Sequence, residues 1–77
     1  MSWNYRVVRR VYPHEISYEI HEAYYGLHDE GPEPVITENP SSAHGETISE
    51  LRENLKRMLR ALDKPTLDYK TRKEIEE

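Results

Sequence analysis

A single amphipathic helix with a marked beginning and end constrains this sequence more than any other feature. The segment from Gly45 to Pro65 reads GETISELRENLKRMLRALDKP. Thr47 and Glu50 have the spacing of a capping box, in which the two side chains bind backbone N–H groups that the first helical turn leaves free. Pro65 predicts the end of the helix, because the residue before a proline avoids the helical conformation.

The helix carries one narrow apolar stripe. At about 100° per residue, its apolar side chains fall within roughly 100° of arc, which is the width expected of a helix with one buried side. They are Ile48, Leu51, Leu55, Met58, Leu59 and Leu62. We therefore expect a flat apolar surface under the helix. Leu55, at the middle of the stripe, is predicted to be fully buried against Val7, Ile20 or Tyr18.

A β-strand is predicted shortly before this helix. Its apolar residues alternate with polar ones, at Ile16, Tyr18, Ile20 and Tyr24. This period of two, in β-branched and aromatic residues, favours a strand. The segment also fits helical spacing if Ala23 and Leu27 are included, but its tyrosines, isoleucines and serine are mediocre helix formers. We therefore prefer the strand.

The segment from Trp3 to Tyr12 is predicted to be the antiparallel partner of that strand. With the turn centred between Pro13 and His14, Val7 lies opposite Ile20. This register puts most apolar residues on one face of the hairpin and leaves Val8 and Tyr12 on the other. The other face carries Arg6, Arg10, Glu19 and His21. A slip of one residue would mix the two faces, so the pattern itself fixes the register.

The rest of the chain completes a small α+β domain. A third strand is predicted at Pro34 to Glu38. The sequence does not determine which of the neighbouring residues Val35 and Ile36 points toward the core. The expected fold class is an antiparallel three-stranded β-meander with one long C-terminal helix packed on one face, in the order β-β-β-α. Residues 1–65 form this single domain. Residues 66–77 are predicted to be a flexible, disordered polar tail.

Composition excludes several classes of function. The chain has 77 residues, 34% of them charged, and a formal net charge of −4. That balance argues against a dedicated nucleic-acid binder, whose domain is usually strongly basic. There is no cysteine, so disulfides and thiolate metal sites are excluded, and no apolar run approaches the length of a membrane span. We expect a soluble, cytoplasmic protein.

The histidines do not predict a metal site. His14, His21 and His28 recur at every seventh position, but an odd separation on a strand puts neighbours on opposite faces, and a metal site needs three or four convergent ligands. We interpret them, together with His44, as solvated surface residues. No nucleophile elbow, phosphate loop or zinc-protease motif is present. We therefore predict no catalytic residue, no metal ligand and no cofactor.

Two groups of residues make up the predicted interaction surface. Arg52, Lys56 and Arg60 share the outward side of the helix, where they could contact an acidic partner or phosphates. The alternative is a solvated face whose cations suit the C-terminal end of the helix dipole. Tyr12 and Tyr25 fall on the polar sheet face, and tyrosine suits interfaces because its apolar ring carries one polar tip. Simple half-exposure is the alternative for both.

The sequence also resembles known families. Gly45-Glu46-Thr47, followed by Glu50 and Asn54 within an apolar helix, resembles the strand-to-helix passage of HicB-like antitoxin domains, which place a small β-meander before such a helix. This resemblance implies a HicB-like fold without the DNA-binding segment. The chain from Ser2 to Pro65 also resembles a family of short bacterial proteins of uncharacterised function.

These observations predict a non-catalytic protein-interaction module. Its partner would be another protein or a second copy, bound through the uncovered sheet face or an edge strand, and the first or third strand is expected at that edge. The alternative is a small enzyme or ligand-binding protein that uses the surface histidines and carboxylates.

Overall fold

The computed structural model describes residues 2–26 and 32–76 of the chain. Its elements are strands β1 (Ser2–Val11), β2 (Ile16–Tyr25) and β3 (Val35–Ile36), helix α1 (Ile48–Arg60) with a 3-10 turn over Ala61–Asp63, and strands β4 (Thr66–Asp68) and β5 (Glu74–Ile75). The five strands form one mixed sheet in the order β3-β2-β1-β4-β5. The short strands β3 and β5 therefore form its edges.

The hairpin of β1 and β2 has the predicted register. The two strands pair antiparallel, with Val7 opposite Ile20 and Trp3 opposite Tyr24, as the predicted register requires. The turn is closed by the Tyr12 N–H, which donates to the Glu15 carbonyl at 2.8 Å. Side-chain alternation and the turn position agree here, so the sequence specified the pairing of these strands.

The segment after β3 continues along the same edge of the sheet. Ile36 pairs with Ala23 of β2 and packs against the core, which settles the facing that the sequence left open. Beyond β3, the Thr37 and Ser41 N–H groups donate to carbonyls of β2 at 3.1 Å and 2.8 Å. The chain then passes over the face of the sheet as α1 and joins the opposite side as β4.

The predicted three-stranded meander with a flexible tail is wrong. β4 pairs parallel with β1, with Val8 opposite Leu67, and β5 pairs antiparallel with β4. Residues after Pro65 thus complete the sheet instead of leaving the domain at residue 65. β1, predicted as a possible edge, is the central strand. A three-residue strand with one buried apolar side chain has no periodic signal, which is why the sequence did not indicate it.

The fully buried core lies on the sheet face that was predicted to be polar. Val8, Ala23 and Leu67 form its centre, and the residues packed around them are Tyr25, Ile36 and Tyr69. The sheet curls into a half-barrel over this concave face. As a result, Tyr69, which follows β4, donates from its hydroxyl to the Glu38 carbonyl beyond β3 at 3.3 Å.

Helix α1 lies on the other, convex face and begins as predicted. The Glu50 N–H donates to the Thr47 hydroxyl at 3.1 Å, and Thr47 has the extended backbone of an N-cap. Asn54 fastens the helix to the sheet by donating from its amide to the Tyr5 hydroxyl at 2.8 Å. The prediction that Leu55 is fully buried is wrong, since 49% of this residue is exposed.

Thr47→Ala is expected to lower the free energy of unfolding by about 1 kcal/mol, because the Glu50 N–H loses its partner at the helix start. Ser49→Ala is the matched control. Its hydroxyl has no hydrogen bond in the described part of the chain, so this change should stay within about 0.5 kcal/mol. Urea denaturation followed by circular dichroism measures both variants. Equal losses at the two positions would contradict the assigned cap.

Candidate functional site

Among the described residues, the most exposed apolar surface is one side of α1 and its 3-10 turn. Four aliphatic side chains, which we call the leucine stripe, are between 49% and 71% exposed: Ile48, Leu55, Leu59 and Leu62. The helix contacts the sheet through a different side, and its buried residues are Met58 and, in the 3-10 turn, Ala61. The apolar stripe and the docked side therefore overlap only in part.

The sheet adds further apolar side chains on the same convex face. Trp3, Val11, Ile16 and Tyr18 are each between 44% and 56% exposed. They share the face of Tyr5, which contacts α1, because all lie at alternate or directly paired positions of β1 and β2. Scattered single apolar residues are ordinary on a protein surface, whereas a contiguous set often marks an interaction site.

The three predicted cations of α1 are all exposed. At about 100° per residue, Arg52 and Lys56 lie next to the leucine stripe on its solvent side. Arg60 lies further around the helix. Lys56 pairs with Glu53 at 3.4 Å, with both side chains mostly exposed, and such a pair contributes little to stability. Arg52 and Arg60 have no ion pair in the described ranges.

The two predicted tyrosines do not join these cations. Tyr25 lies at one end of the hairpin on the concave face, where its hydroxyl accepts from Arg6 and donates to Asn4, both at 2.9 Å. Tyr12 follows the opposite end of β1 and is half-buried, with the Arg10 guanidinium 5.1 Å from its ring centre. Both belong to the curled side of the sheet. The structure therefore separates the predicted interaction surface into two parts.

The histidines do not assemble into a site. His14 and His44 are exposed, as predicted. His21 is fully buried, so its assignment to the solvated surface is wrong; its Nδ1 lies 2.9 Å from the Thr37 carbonyl. His28 lies outside the described residues. Within residues 2–26 and 32–76, no group of three or more histidine, aspartate and glutamate residues converges as metal ligands would.

The shifted pKa values have structural causes. Backbone N–H donation from Thr71 lowers the pKa of Asp68, with further help from the Thr71 hydroxyl, Lys70 N–H and the nearby Arg9 charge. This carboxylate caps the turn that joins β4 to β5. A hydrogen bond from its phenol to the Glu22 carboxylate raises the pKa of Tyr24.

Sequence reasoning missed two features of the structure, of which only the first bears on the leucine stripe. The stripe shows which residues share a side of the helix, but Asn54 and Ala61 decide which side docks, and neither counts as strongly apolar. The burial of Arg6 was also missed. Its guanidinium donates to the Tyr25 hydroxyl, the Pro65 carbonyl and Glu74. No signal in the sequence connects residues that are 59 and 68 positions apart.

Comparisons with other proteins give no assignment. No helix in the described ranges combines the length and apolar character needed to cross a membrane. The chain matches no protein-family model, no curated protein and no solved structure.

Proposed function

We propose that this chain is a non-catalytic protein-interaction module whose binding surface is the leucine stripe. The supporting observation is the 49–71% exposure of four aliphatic side chains on one side of one helix. Burial of apolar area yields about 25 cal/mol per Å² removed from water. Apolar helix faces with this spacing are also a common mode of protein recognition. A partner that covers the stripe would remove this area from water.

The charges beside the stripe define the chemistry of the partner. Arg52 and Lys56 border it on the solvent side, and the weak contact between Lys56 and Glu53 leaves that ammonium available. An apolar partner segment flanked by aspartate or glutamate would complement both cations. A second copy bound through the same stripe would instead bring its own Arg52 and Lys56 to the interface, where the like charges would repel each other. We therefore propose a different, acidic protein segment as the occupant.

The family resemblance and the location belong to the same proposal. Residues 45–54 resemble HicB-like domains, and this resemblance supports a binding role. We propose a HicB-like fold for this chain but no antitoxin activity. We propose a cytoplasmic location, because a chain without cysteine has no need of an oxidising compartment.

Photo-cross-linking tests the proposed surface. A photoreactive amino acid at Leu59, introduced in living cells, is expected to link to one other protein, through a segment that is apolar and flanked by acidic residues. The same reagent at Glu53 is the matched control, since this exposed position lies on the side of α1 away from the stripe. Mass spectrometry of the linked peptides identifies both segments. Equal labelling at positions 59 and 53, or labelling of further copies of this chain only, would contradict the proposal.

Leu59→Lys is expected to weaken binding of that partner by about tenfold or more, because burial of one leucine side chain contributes about 1.5–3 kcal/mol. Leu59 is 64% exposed, so the free energy of unfolding should change by less than about 0.5 kcal/mol. Calorimetric titration of the purified partner measures the affinity. Arg52→Glu should weaken binding as well, whereas Lys70→Glu, beyond β4, should not. Unchanged affinity in Leu59→Lys would contradict the role of the stripe.

A further inference from the structure

A separate cavity lies on the opposite side of α1 from the leucine stripe. It is an open cleft with a volume of about 340 Å³ between the start of β1 and the end of the helix, and we call it the Trp3 pocket. Trp3 and Tyr5 of β1 line one wall, while Arg57, Arg60 and Lys64 line the other. Arg57 and Arg60 lie three residues apart on α1, and Lys64 follows the 3-10 turn directly. A volume of this size falls at the lower end of the range for small-molecule sites.

The aromatic wall of the pocket is held in place and partly open. The Trp3 and Tyr5 rings meet edge to face, with centres 5.2 Å apart, and Tyr24 packs beside Trp3 with centres 6.2 Å apart. The Tyr5 hydroxyl accepts a hydrogen bond from Asn54, which ties this wall to α1. Nevertheless, 44% of Trp3 is exposed. The indole therefore presents a fixed, accessible aromatic surface, on which a flat ring can stack.

The opposite wall carries positive charge without a counter-charge. Within residues 2–26 and 32–76, none of Arg57, Arg60 and Lys64 takes part in an ion pair, and no carboxylate lines the pocket. Three like charges that line one pocket repel one another. An anion bound between them would relieve this repulsion. Guanidinium groups suit phosphate in particular, because their fixed N–H fork can donate two parallel hydrogen bonds.

We propose that the Trp3 pocket binds an aromatic phosphate, with the flat ring stacked on Trp3 and the phosphate held by Arg57, Arg60 and Lys64. A dianionic phosphate matches three cations better than a single carboxylate does. Nucleoside monophosphates and aryl phosphates both have this chemistry. The pocket and the leucine stripe lie on opposite sides of α1, so this site is independent of the protein-binding surface.

The only tryptophan of the chain provides a direct measurement. AMP and phenyl phosphate are expected to quench Trp3 fluorescence with a Kd of about 1 mM or below. Adenosine, which lacks the anion, and inorganic phosphate, which lacks the ring, should each bind at least about tenfold more weakly. Quenching by AMP alone would identify a nucleotide site, whereas equal quenching by phenyl phosphate would identify a general aryl phosphate site. Both results support the proposed chemistry.

Variants connect this binding to the pocket. Arg57→Gln and Arg60→Gln should each weaken AMP binding by about tenfold, through loss of charge-assisted hydrogen bonds. Arg52→Gln, beside the leucine stripe, is the matched control and should bind AMP as the wild type does. Amide chemical shifts of ¹⁵N-labelled protein locate the site independently of fluorescence. No saturable binding at about 10 mM AMP, equal affinity for inorganic phosphate, or equal losses in all three variants would overturn the proposal.

Discussion

Leu67→Ala is expected to lower the free energy of unfolding by about 2–5 kcal/mol. Leu67 is 1% exposed and packs with Val8 and Ala23 at the centre of the concave face. The shortened side chain would leave a cavity that its small neighbours cannot fill. Because a domain of this size has only a few kcal/mol of net stability, the variant should be largely unfolded at room temperature. Urea denaturation followed by Trp3 fluorescence and circular dichroism measures the loss.

Leu62→Ala is the matched control for this prediction. It makes the same chemical change five residues earlier, but at a position that is 63% exposed, so its cost should stay within about 0.5 kcal/mol. The comparison separates an ordered β4 from a polar tail without structure. If Leu67 lay in such a tail, the two variants would be equally stable, and the five-stranded sheet would be wrong.

The parts of the fold that could be predicted depend on local information. The helix start rests on Thr47 and Glu50, three residues apart, and the helix ends before Pro65. The register of β1 and β2 rests on alternation across a short turn, where a slip of one residue would exchange the two faces. In both cases neighbouring residues determine the outcome. Sequence patterns are therefore sufficient for these elements.

The concave core could not be predicted, because its polar residues contact distant parts of the chain. His21 is buried against the Thr37 carbonyl, and the Arg10 guanidinium lies 4.0 Å from the centre of the Tyr69 ring. Alternation assigned both to a solvated face. The curling of the sheet buries that face instead. This curling depends on β4 and β5, whose sequences show no periodic pattern of apolar residues.

The candidate site could be predicted only in part. The exposure of Arg52, Lys56 and Arg60 was predicted correctly from their position outside the apolar stripe. The exposure of the leucine stripe was not predicted. The hydrophobicity of the side chains shows which side of the helix is apolar, but it does not show which side packs against the sheet. Here the hydrogen bond from Asn54 to Tyr5 and the burial of Ala61 identify the side of the helix that docks. Leu59 and Leu62 consequently remain in solvent.

Arg6 shows how a charged side chain can hold this small curled sheet together. It is 6% exposed, although it lies in the middle of β1. Its guanidinium donates to the Tyr25 hydroxyl at 2.9 Å, to the Pro65 carbonyl at 2.7 Å and to Glu74 at 3.1 Å. These three partners belong to β2, to the segment before β4 and to β5. One side chain therefore links both sides of the half-barrel to its central strand.

Arg6→Ala is expected to lower the free energy of unfolding by about 2–4 kcal/mol, because hydrogen bonds from a charged group contribute about 1.5–3 kcal/mol each and the Pro65 carbonyl would lose its partner. Arg6→Leu keeps apolar bulk but none of the donors, so it should remain nearly as unstable as Arg6→Ala. Glu74→Gln is the matched control. The Glu74 side chain is 60% exposed, and removing its charge should cost less than about 1 kcal/mol. Urea denaturation measures all three variants. Wild-type stability in Arg6→Leu would show that Arg6 only fills space, and the link through its hydrogen bonds would then be wrong.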